Sequence, residues 1–71
     1  MTVYLEIEEK NRKASNKMGL IVNRVIAVWD RDIHDDDPIL LHCFETRTLN
    51  GFDSKIDFIQ VKYGDYVVMA E

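Results

Sequence analysis

The sequence predicts a mainly β protein, a small antiparallel sheet of about five strands that is curled or barrel-like. Three observations predict it. Val3, Leu5 and Ile7 alternate with Tyr4, Glu6 and Glu8, Gly19 to Trp29 is rich in β-branched residues, and Asn50-Gly51 and Gly64-Asp65 divide the second half with two hairpin-type dipeptides. Closure is expected because a flat sheet of this size leaves apolar side chains uncovered on one face. A chain of 71 residues is too short for two cores, so residues 1–71 form a single small β-rich domain.

The elements follow in order. Thr2 to Glu8 has the period-two pattern of a half-buried strand. The run KNRKASNK, Lys10 to Lys17, breaks that period and reads as a loop. Glu8 with Arg12 and Glu9 with Lys13 have the spacing of helical ion pairs, but the apolar face is too small to hold a helix firmly. Gly19 to Trp29 carries apolar side chains at both parities, as in a central strand covered on both faces, with Asn23 and Arg24 marking a bulge or the point where it emerges. A buried helix is the competing assignment there.

With Asn50-Gly51 as a type I′ turn, Cys43 faces Phe58 as a small core residue and His42 faces Ile59. With Gly64-Asp65 as a type II′ turn, Tyr63 faces Tyr66. The result is a three-stranded meander over residues 39–49, 52–63 and 66–70. Phe52, Ile56, Ile59 and Tyr63 also fit one face of a helix, with Asp53 or Ser54 as its cap. The alternative fold is therefore α+β, with one short helix at 10–17 or 53–62.

Composition excludes several classes. A domain of this size buries only roughly 60 % of its unfolded surface, so its core is thin. The single cysteine, Cys43, rules out an internal disulfide and a multi-cysteine zinc site. The first residues lack a basic stretch followed by an apolar one, and no apolar run approaches the roughly 18 residues that span a bilayer. The expectation is a cytoplasmic protein without a membrane partner. A net charge of −4 disfavours general nucleic-acid binding. The charge is uneven, because Lys10, Arg12, Lys13, Lys17 and Arg24 cluster without an acid among them while acids dominate the second half.

The stretch WDRDIHDDDP, Trp29 to Pro38, concentrates aspartates and a histidine. Asp30, Asp32 and His34 alternate, and along a strand they would share one face about 7 Å apart. As a calcium loop it fails: no glycine stands at the sixth position, and the twelfth, Leu41, is not a glutamate. No metal and no cofactor is expected. Pro38 extends Asp37, and three consecutive aspartates repel, so the segment reads first as a solvated connection and second as a surface for a basic partner.

No catalytic constellation is found, and no enzyme is expected. His42 and Cys43 are neighbours in a strand and point to opposite faces, and the chain has no GxSxG, phosphate loop or HExxH. Trp29 is expected in the core at the end of its strand, and Tyr63 and Tyr66 read equally as a structural cross-strand aromatic pair and as contact residues of the kind enriched at interfaces.

The function expected is a non-catalytic protein-binding module, a small acidic inhibitor or accessory subunit acting on a larger, basic, nucleic-acid-handling protein. Its candidate contacts are Asp30, Asp32, His34, Asp35, Asp36, Asp37, Tyr63 and Tyr66. A homodimer formed through an exposed edge is a further expectation. The alternative is a nucleic-acid-associated module contacting phosphates through Lys10, Arg12, Lys13 and Lys17. No aromatic interleaves those cations, so the stacking platform of a single-strand binder is missing.

Overall fold

The computed structural model describes residues 2–10, 15–16, 19–20 and 23–69. In chain order the elements are β1 (Val3–Lys10), β2 (Ser15–Asn16), β3 (Gly19–Leu20), β4 (Asn23–Trp29), β5 (Leu40–Thr46), α1 (Leu49–Tyr63) and β6 (Tyr66–Val68). Four strands form an open mixed sheet in the order β5-β4-β1-β6, and β2 pairs with β3 in a separate two-stranded ladder. The curled five-stranded antiparallel sheet is thus corrected to an open sheet with one helix, the α+β alternative. Ser15–Asn16 is strand, in place of the expected loop or the alternative helix over 10–17, and the rest of 11–18 lies outside the described residues.

β1 and β4 arise where the pattern is strongest. They pair antiparallel with Leu5 opposite Val28 and Ile7 opposite Ile26, so the alternating apolar residues of both strands share one face. β5 adds antiparallel to β4, with a register shift between Val28 and Trp29 that leaves Leu41 as the extra residue of a bulge. β6 adds parallel to β1, with Val3 opposite Tyr66. These directions make β5 and β6 parallel to each other, on opposite edges of the sheet. A tight turn cannot join parallel strands, so a crossover is required.

α1 is that crossover, and it replaces the central strand of the expected meander. Its 15 residues span about 22 Å, enough to pass over two strands spaced about 4.8 Å apart. Thr48 caps it in an extended conformation, and its Oγ1 accepts a hydrogen bond from the Gly51 N–H at 3.0 Å. A Cβ at Gly51 would stand 3.1 Å from that hydroxyl, so the glycine makes room for the cap. Asn50-Gly51 is therefore the first turn of a helix, not a hairpin tip. At the other end Gly64, at φ 87°, donates its N–H to the Gln60 carbonyl and ends α1 before β6.

The core lies between α1 and one face of the sheet. Val3, Leu5, Ile26, Val28 and Ile59 are fully buried, with Ile7, Leu41, Phe44, Phe52, Ile56, Tyr63 and Tyr66 packed around them. Only Ile59 represents the helix among the fully buried residues. Arg24 lies over the Phe52 ring, 4.7 Å from its centre, and pairs with Glu9 at 3.5 Å. Cys43 is exposed opposite Ala27 on the other face, and Trp29 is half-buried there, so neither belongs to the core as expected. Among the described residues no helix is long and apolar enough to cross a membrane.

Candidate interaction surface

Residues 30–39 connect β4 to β5 as a loop organised by its own aspartates. The Asp30 N–H donates to the Ile39 carbonyl at 3.1 Å, and the Ile39 N–H donates to Asp30 Oδ1 at 2.9 Å, which closes the loop at its base. Arg31 turns back on its neighbour, with Nε 3.2 Å from Asp30 Oδ1 and Nη2 3.0 Å from Oδ2. The Ile39 N–H first, and the Arg31 guanidinium second, hold the Asp30 carboxyl below its ordinary range. Asp30 in turn raises the affinity of Arg31 for its proton.

Asp32 does similar work further along. Its Oδ1 accepts from the His34 N–H at 2.9 Å and its carbonyl accepts from the Asp35 N–H at 2.9 Å, an Asx turn inside a tight turn. Asp37, expected to be extended before Pro38, sits instead at φ 51°, a conformation that aspartate tolerates better than most residues. Asp30 and Asp32 are thus structural, and His34, Asp35, Asp36 and Asp37 stand exposed. Among the described residues no group of three His, Cys, Asp or Glu side chains is placed to hold a metal ion.

Tyr63 and Tyr66 do not face each other across a hairpin. Tyr63 closes α1, edge-on to His42 with ring centres 5.8 Å apart, and Tyr66 opens β6 opposite Val3. Both are partly buried against the core. They nevertheless share one end of the sheet with the aspartate loop, because Val3 and Tyr4 lie beside Tyr66 and Trp29. The basic run begins at the opposite end, where Lys10 pairs with Asn23. Arg12, Lys13 and Lys17 lie outside the described residues.

The registers reveal a row that the sequence reading missed. Leu40 pairs with Trp29, Trp29 with Tyr4, and Tyr4 with Val67, so one apolar or aromatic residue from each of four strands forms a line straight across the sheet. The line lies on the face away from α1, since Val3, Leu5, Ile26 and Val28 take the other. Leu40 and Val67 are 48% and 45% exposed, and Ile39 next to Leu40 is 57% exposed. The loop that follows Trp29 carries Asp35, Asp36 and Asp37, and on the other side along the strands Glu6 lies beside Ala27, and Glu8 and Glu45 beside Val25. Trp29 Nε1 donates to Glu6 Oε1 at 3.2 Å, which ties the indole to β1.

The signal for this row was present in the chain, in Tyr4, Trp29 and Val67, but only pairing across four strands aligns them. Chemically it is an apolar strip with acidic residues on the same face and in the adjoining loop. Comparison with known proteins returns no matching family model, no matching curated protein and no matching solved structure.

Proposed function

We propose that the protein is a non-catalytic protein-binding module that docks through the Leu40–Trp29–Tyr4–Val67 row, with Asp35, Asp36 and Asp37 steering a basic partner onto it. The observation that supports this reading is the apolar row running the width of the sheet on a face that no other described element covers. Aromatic anchors supply binding energy at the centre of an interface, and charges at its rim supply steering and selectivity. The acids on both sides of the row select a partner whose own apolar strip is flanked by lysine and arginine. Proteins that handle nucleic acids present such surfaces to phosphates, so the module acts as a small acidic inhibitor or accessory subunit of a protein of that kind.

The test keeps Asp30 and Asp32, which hold the loop together, and changes only the exposed acids. A tagged wild-type chain is expected to retain a stoichiometric basic partner from native lysate. The Asp35→Asn/Asp36→Asn/Asp37→Asn variant and the Trp29→Ala variant are expected to lose it. Full retention by both variants overturns the reading. Direct, steeply salt-dependent retention of the protein on DNA or RNA supports instead the phosphate contact through Lys10, Arg12, Lys13 and Lys17.

A further inference from the structure

The second surface lies at the opposite side of the sheet from β6 and has the opposite sign. β5 is a sheet edge of seven residues, Leu40–Thr46, with no proline. Its outer backbone groups have no partner among the described residues. Such an edge is a template for an added strand.

What stands above it defines what is added. α1 runs antiparallel to β5: Phe58 packs against Phe44 with ring centres 5.8 Å apart and stacks on His42 at 6.1 Å, while Tyr63 meets His42 further along. Phe58 remains 44% exposed. Two ammonium groups are seated on these rings, Lys55 5.1 Å from the centre of Phe44 and Lys62 5.8 Å from the centres of both Phe58 and Tyr63. Neither lysine forms an ion pair among the described residues. The helix flank over the β5 edge is therefore a cation, an exposed aromatic ring and a second cation, in line.

We infer that the β5 edge binds an extended acidic segment as a fifth strand. Its residues facing α1 alternate acidic, apolar, acidic, to meet Lys55, Phe58 and Lys62. The main chain of the segment pairs with Leu40–Thr46. On its far face it lies beside Glu45, so the acids occupy alternate positions only, and the intervening residues are neutral. The lysines select against a second copy of this chain, because pairing two β5 edges would set both copies' Lys55 and Lys62 against each other.

The probe is the labelled peptide Glu-Thr-Val-Thr-Glu with both ends blocked, titrated to millimolar concentration against the full chain. Backbone amide NMR and fluorescence anisotropy follow it. The expected result is saturable shifts confined to Leu40–Thr46 and the Lys55–Lys62 flank, weakening at least tenfold in Lys55→Gln/Lys62→Gln. Loss is also expected for a peptide N-methylated on alternate residues and for the Lys-Thr-Val-Thr-Lys peptide. Circular dichroism of the variant checks that α1 is intact. Absence of shifts at β5, equal binding of the two peptides, or a concentration-dependent dimer that blocks the edge overturns the inference.

Discussion

Asp30 directs its carboxylate to its own loop, accepting from the Ile39 N–H and from Arg31. Because these contacts depress its proton affinity in the folded state, they stabilise the protein above the ordinary aspartate value of 3.8 and are lost as the pH falls below it. Asp30→Asn is accordingly expected to flatten the acid limb of the stability curve, measured by urea denaturation between neutral and acid pH. An unchanged limb would show that the loop closure adds nothing to folding. A second residue-scale test concerns Thr48, whose hydroxyl satisfies the Gly51 N–H. Thr48→Ala is expected to lower stability by about 1 kcal/mol, and Thr48→Ser to restore most of it.

At the scale of the element, Ile59 is the one fully buried residue of α1, with Phe52, Ile56 and Tyr63 packed around the same core. Ile59→Ala is expected to cost about 2–5 kcal/mol, a large part of the stability of a small domain, with loss of far-UV helical signal in the same transition. Gly64→Ala forces a side chain into φ 87° and is expected to cost about 1–3 kcal/mol. Both effects are read by urea denaturation.

The helix was the element least legible in the sequence. Asn50-Gly51 tolerates the positive φ of a hairpin turn, but does not require it, and at Gly51 the backbone is helical. The spacing of Phe52, Ile56, Ile59 and Tyr63 contained the right answer, and Thr48, not Asp53 or Ser54, was the cap. β1 and β4 were legible because one face covered by α1 demands an apolar residue at every second position, whatever the topology. The aspartate loop was legible as a loop, but its closure was not. Asp30 meets Ile39 only once β5 has paired with β4.

For the whole molecule, strand order predicts a gradient of stability. β4 is flanked by strands on both sides, whereas β6 has three residues, two of them exposed. Hydrogen exchange is expected to be slowest in β4 and fastest in β6, where opening breaks few contacts. Equal protection of the two would contradict a sheet built outward from the β1–β4 pair. The charges are divided along the strands, across that gradient, with the exposed aspartates at the Trp29 end and the basic run starting at the Lys10 end. The parallel pairing of Val3–Leu5 with Tyr66–Val68 has one more consequence, for synthesis. β1 leaves the ribosome before β6, so β1 presents a bare edge until β6 has followed it. That edge is closed to a neighbouring nascent chain only when β6 is released.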